Sequence, residues 1–438
     1  MPTLFRPFLI LPLLSVWLGA APVPKAVEEH ALNLQHYLEY RVQNRIALTC
    51  EETADAYDCV SSDQRITDTD GNATTVAGYK KAQLHFNAAL GLLLHKDRFD
   101  ATMQEIEKTE ALRRRYLASQ KPYIAPPSSP LQDALDRALV GNLETVNLNM
   151  FSFEKENPKT VIGIKNLSYA NRMKRTAKDA AFSERIFGEI RLDYTDATVS
   201  GGKTNAYPRT LPEHLEKWFD TNNTVRAGYV GNKLGELYAE EMHAPFSGTL
   251  QLQTAYLGND AASVALRTEN RNKKGAYDTF DFEGVLQNIS TIFTPARKPL
   301  TPGTPDFLFK SMHSESAADG TKFRRLLKSD KRFAGYIGEY DTLMRAAFDE
   351  KLKKFGYSPV LTGWLTRAKS AFSAIITGKA DRIEISVQNR NGMTVLQVFG
   401  MLMGQLMFMP QTNALPTDSE KIFLDTAAAH LEVDIEAK

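Results

Sequence analysis

Cysteine is nearly missing from this sequence: Cys50 and Cys59 are the only two. A structural zinc site needs four ligands, and no His lies between these thiols, so zinc is a poor reading. Their spacing is not Cys-x-x-Cys, which argues against a redox-active pair. Histidine is sparse as well. The eight, His30, His36, His85, His95, His214, His243, His313 and His430, are dispersed, and no His-Glu-x-x-His occurs. The Gly-x-Ser-x-Gly elbow of a serine hydrolase is missing too. The glycines from Gly228 to Gly235 fit neither the Walker spacing nor Gly-x-Gly-x-x-Gly. No cofactor or metal is therefore expected, and no side chain is assigned a catalytic role.

An excess of one charge sign is also missing. Lys and Arg number 53 against 52 Asp and Glu, a net charge of +1. That balance argues against a chain built mainly to bind a polyanion, so nucleic acid is not an expected partner. The 43% apolar and 24% charged residues of this 438-residue chain exclude a disordered or collagen-like protein.

What is present begins with an address. Arg6 is followed by the apolar run Phe8 to Leu18 and then by small Gly19, Ala20 and Ala21. That order matches a secretory signal, so residues 1–21 are expected to be removed after Ala21. The mature chain is then periplasmic or secreted. The alternative is an N-terminal membrane anchor, although Phe8 to Val23 is shorter than the ~20 residues that span a bilayer comfortably. No Cys follows the small residues to carry a lipid. In an exported chain, two cysteines at short spacing read as one disulfide, Cys50 to Cys59, joining strands over Arg45–Cys50 and Tyr57–Ser61.

Two proline-rich stretches, 119–130 and 294–305, punctuate the rest. They suggest three segments: 22–118, with an N-terminal helix, the disulfide hairpin and a second helix; 131–293, a central α+β domain; and 306–438, a C-terminal α+β domain. The fold class expected is α+β, with antiparallel sheets or hairpins covered by helices. Val27, Ala31, Leu34, Leu38 and Val42 mark one helical face, and Asp100 to Ser119 returns to helical spacing. A helix from Leu131 ending at Gly141 leads into a hairpin over Val146–Met150 and Val161–Tyr169. Alternation then predicts strands at 186–194, 250–256, 263–268 and 279–286. A helix is read from Phe307 to about Lys354, and another from Leu361 to Ile376, ended by Gly378. A strand at 383–387 is expected to turn at Asn391-Gly392 into a return strand, Met393 to Phe399. Gly141 to Leu148 can be laid on Gly378 to Ile385, which suggests repeated helix–hairpin units.

Two features invite a functional reading. Gly392 to Pro410 holds five of the twelve methionines. Met401, Met403, Met407 and Met409 are the candidate apolar-ligand or partner surface, because Met adapts to irregular apolar shapes. Basic clusters occur at Arg113–Arg115, at Arg172–Arg175 and from Lys322 to Arg332. The expectation is a non-catalytic binding or scaffold module of the cell envelope, with an envelope protein or lipid as partner and an unspecified oligomeric state. A carrier of lipid or another apolar ligand is the first alternative. An envelope hydrolase assembled from distant residues, with Ser247 beside His243 as its nearest hint, is the second.

Overall fold

The computed structural model describes residues 29–41, 46–53, 56–70, 73–87, 90, 94, 96–119, 129–156, 159–172, 187–201, 224–242, 244–289, 306–397 and 416–438. The class is mixed α and β. Among the described residues, twelve strands follow one another in the sheet in chain order, as an antiparallel meander. Two compact units divide the chain: Met1–Asn171 with Tyr194–Asp196, and Arg172–Asp193 with Ala197–Lys438.

The first unit holds α1 (Glu29–Arg41), β1 (Thr49–Glu52), β2 (Ala56–Asp70), β3 (Ala73–Asn87), α2 (Lys96–Ala118), α3 (Pro130–Asn142), β4 (Leu143–Glu156) and β5 (Lys159–Asn171). Antiparallel order fixes which residues meet. Cys50 stands directly opposite Cys59, and the two form a disulfide buried at 0% exposure. The predicted face of α1 is the buried one: Ala31, Leu34 and Leu38 join Phe99, Met103 and Ile106 of α2 and Leu135 of α3. These cover Leu84 and Phe86 of β3 and Leu148 and Phe151 of β4 in one closed core. Ser129 and Pro130 start α3 as an N-cap and a first-turn proline. Gly141 does not end that helix. The helix runs through it to Asn142 and passes directly into β4.

The second unit holds most of β6 (Gly188–Gly201), α4 (Thr224–Met242), β7 (Phe246–Gly258), β8 (Ala261–Asn272), β9 (Tyr277–Gln287), β10 (Asp306–Ala317), α5 (Gly320–Ser329), α6 (Lys331–Phe355), α7 (Pro359–Ile376), β11 (Arg382–Asn389), α8 (Pro416–His430) and β12 (Leu431–Ala437). Helices α4, α5 and α6 share a small core of Val230, Phe323, Phe333 and Ile337. Helix α7 lies chiefly along β12, with α6 and α8 also beside it. It ends as predicted near Gly378, which adopts φ +68°, a conformation that favours glycine. A Cβ there would also meet Leu327 Cδ1 at 2.8 Å.

Two expected elements are corrected in this unit. Asp306–Ala317 is a strand, not the start of a helix. A β-bulge between Phe309 and Ser311 adds Lys310 to the row, so the apolar residues fall at 307, 309 and 312 and hide the two-residue period. Residues 393–397, the described part of the expected return strand, do not pair beside β11. Thr394 and Gln397 bond reciprocally, Gln397 N to Thr394 Oγ1 at 3.3 Å and Thr394 N to Gln397 Oε1 at 2.9 Å. That is a capping box, and residues 395–397 are helical. The strand that pairs with β11 is β12.

Candidate functional site

The six strands β7 to β12 present two chemically opposite faces. Side chains alternate along each strand, so the antiparallel register lays residues of like direction into rows across the sheet. One row runs Leu252, Leu266, Phe282, Met312, Val387, Val433, one residue from each strand. The adjacent row on the same face is Leu250, Thr268, Phe280, Ser314, Ile385, Ile435. On the opposite face lies Gln251, Arg267, Asp281, His313, Ser386, Asp434. The sequence alternation that makes these strands therefore also makes an apolar face six strands wide.

Aromatic rings concentrate at its middle. Phe282 stacks on Phe307 with centroids 5.6 Å apart and planes 8° from parallel. Phe280 lies 6.5 Å from Phe282, also stacked, and Phe309 is tilted 5.8 Å from it. Phe307 can lie where it does because the residue beside it is Gly284, opposite Phe309. A Cβ on Gly284 would come within 2.1 Å of Phe307 Cζ.

The degree of cover distinguishes this face from the core of the first unit. Leu84 and Leu148 there are 5% and 6% exposed beneath helices. All six side chains of the row from Leu252 to Val433 are half-buried. Among the described residues they belong to no closed core cluster, and the principal helix contacts with these strands fall on β11 and β12. Tyr256, at the β7 end of the face, is 47% exposed. A surface of this kind can take up an acyl chain or another elongated apolar group by removing apolar area from water.

The polar face holds an arrangement that resembles hydrolytic chemistry. His313 Nδ1 is 3.1 Å from Ser386 Oγ, and its Nε2 is 3.9 Å from Glu384 Oε1. Glu384 is drawn below the usual carboxylate range, mainly by a hydrogen bond from Lys438 and also by the charges of Lys438, His313 and Arg382. Arg382 in turn pairs with Glu315 at 3.0 Å. Acyl transfer also needs free N–H donors for the oxyanion. Ser386 sits in β11 between β10 and β12, where ladders on both sides use the backbone. The group thus reads as a cross-strand polar ladder.

Of the residues singled out from sequence, Cys50 and Cys59 are joined as expected. Met401, Met403, Met407 and Met409 lie outside the described residues, as does His243. Ser247 stands in β7 opposite Arg271. Among the described residues no group of three or more His, Cys, Asp or Glu is placed to hold a metal ion, and no helix is long and apolar enough to cross a membrane. The aromatic face itself was missed from sequence, although Phe280, Phe282, Phe307 and Phe309 at two-residue spacing carried its signal.

Fold and site together define a mixed α/β protein with an antiparallel meander and, among the described residues, a half-covered apolar sheet face. Compared with protein families, curated proteins and solved structures, the chain finds no match.

Proposed function

We propose that this chain is an exported, non-catalytic binding module of the cell envelope whose ligand is apolar, and that it carries a lipid or lipid-like molecule against the β7–β12 face. The observation that supports this most is the row of six half-buried apolar side chains from Leu252 to Val433, whose Phe282 stacks on Phe307. Full burial is worth roughly 1.5–3 kcal/mol for a side chain that starts exposed, so a ligand completing the cover of these half-buried ones gains a fraction of that from each, summed over the row. The buried disulfide fits an oxidising compartment, and the leader-like N-terminus fits export.

The test is native mass spectrometry on chain expressed with its leader, together with titration of a fluorescent fatty acid. Co-purified lipid and saturable probe binding are expected. Phe282→Asp should weaken probe binding at least tenfold while the fold, read by circular dichroism, persists. A chain that purifies lipid-free and binds no probe would end the proposal.

A further inference from the structure

We infer that the α5–α6 junction is a docking surface for an anionic phospholipid membrane. Between Asp319 and Arg332 the chain places six basic residues and two acidic ones, although its overall charge is only +1. The concentration is therefore local, and only Lys328, in the last turn of α5, stands where the helix dipole favours a cation. The first turns of α5 and α6 contain no acidic residue. Lys331 and Arg332 occupy the start of α6, where the helix dipole favours negative charge. Asp330 caps the helix there, so the local excess is one positive charge, which an external anion can meet.

The two carboxylates within the stretch are committed elsewhere. Asp319 accepts from Thr321 N at 2.9 Å, and Asp330 accepts from Phe333 N at 2.9 Å and from the Tyr229 hydroxyl. Arg324 is tied to Asp381 at 2.8 Å. That leaves Arg325, Lys328 and Lys331 exposed and without an ion-pair partner among the described residues. Arg332 is fixed in place, its guanidinium 4.7 Å from the Tyr229 ring centroid and 5.5 Å from that of Tyr336. Beneath the charges, Phe323 and Phe333 meet edge to face at 5.9 Å and pin the two helices to one core. The result is a set of cations on a packed base, suited to the phosphodiester groups of a lipid surface.

A lipid surface is favoured over other polyanions because the same unit carries the apolar face proposed above, and this inference rests on that reading. A carrier must meet the bilayer from which it loads. Each Lys or Arg near an anionic surface strengthens binding by about fivefold, so loss of three should cost on the order of a hundredfold.

The experiment is co-sedimentation of the full chain with vesicles of phosphatidylcholine alone, or of phosphatidylcholine mixed with phosphatidylglycerol, at low and high salt. Expected is binding to the mixed vesicles, weakened by salt, and lost by roughly a hundredfold in the triple variant Arg325→Gln, Lys328→Gln, Lys331→Gln. Circular dichroism and fatty-acid probe titration should leave that variant unchanged, since all three positions are exposed. The same three positions changed to Glu give a second, stronger variant with the same readouts. Equal binding to neutral vesicles, or native-like binding by both variants, would overturn the inference. So would binding to heparin or duplex DNA with none to the mixed vesicles. Vesicle binding lost with probe binding intact removes only the docking surface; probe binding lost in the native chain removes the carrier reading.

Discussion

Phe307 lies across Gly284, so close that any side chain at 284 would occupy the space of the ring. The two residues sit on neighbouring antiparallel strands, β10 and β9, and the ring that covers the glycine also stacks on Phe282. The missing side chain at 284 is thus what lets the aromatic cluster close over the middle of the sheet. Gly284→Ala should displace Phe307 and destabilise the second unit by about 1–3 kcal/mol, the usual cost of overpacking. Chemical denaturation followed by tryptophan fluorescence reads this unit, because Trp364 stands in α7. A shift in midpoint for Gly284→Ala that disappears in the double variant with Phe307→Ala would assign the cost to this contact.

Cys50 and Cys59 close a loop with a sequence separation of only 9, buried beside Leu34 and Tyr57. On the chain-entropy account a loop of this size is worth about 2–3 kcal/mol. Cys50→Ala with Cys59→Ala should lower the stability of the first unit by that amount and leave the second unit's transition in place. Thiol titration of the denatured native chain, with and without reductant, checks that the bridge is the resting state.

The parts of this fold legible in the sequence are those where one periodicity acts alone. Ala31, Leu34 and Leu38 announced α1 through a single buried face, and the alternation from Ile383 to Val387 announced β11 through a single apolar row. Strand β10 was obscured by its bulge at Lys310, which shifts the period by one residue in mid-strand. Strand β12 was overlooked although Leu431, Val433 and Ile435 alternate with Glu432, Asp434 and Glu436, because Asn391-Gly392 suggested a nearer partner for β11. A local turn signal says nothing about which distant strand supplies the better ladder. The apolar face needs the register of six strands, and sequence alone specifies each strand's own alternation without fixing that register.

Tyr79 is 4% exposed and donates to Ser61 Oγ at 2.8 Å, while Ser61 donates to the carbonyl of Ala47. Burial pushes its phenol up to about 12 from an ordinary 10.0, with the Ser61 contact acting weakly the other way. Burial likewise raises Tyr37, where Asp136 adds to it, and Tyr169. A folded-state value above the unfolded one means that the folded chain holds its proton longer. The stabilisation is complete below pH 10 and is lost as pH rises through about 12. For Tyr79 alone the loss is on the order of 2–3 kcal/mol. The urea midpoint of the first unit should fall steeply over that window, and Tyr79→Phe should flatten the fall.

Thr394 is 5% exposed and caps the helical turn at 395–397 through its hydroxyl, with Gln397 reaching back to its N–H. A strand and a cap make opposite demands on this position. In a strand, Thr394→Val would be neutral or favourable, since both are β-branched and valine packs better on a pleated surface. At an N-cap the same change removes the acceptor that satisfies the Gln397 N–H, a loss of about 0.5–2 kcal/mol. Thr394→Val and Thr394→Ala should therefore both lower the denaturation midpoint of the second unit, and Thr394→Ser should retain most of it. A more stable Thr394→Val variant would restore the hairpin reading of Asn391-Gly392 and remove the capping box from this part of the fold.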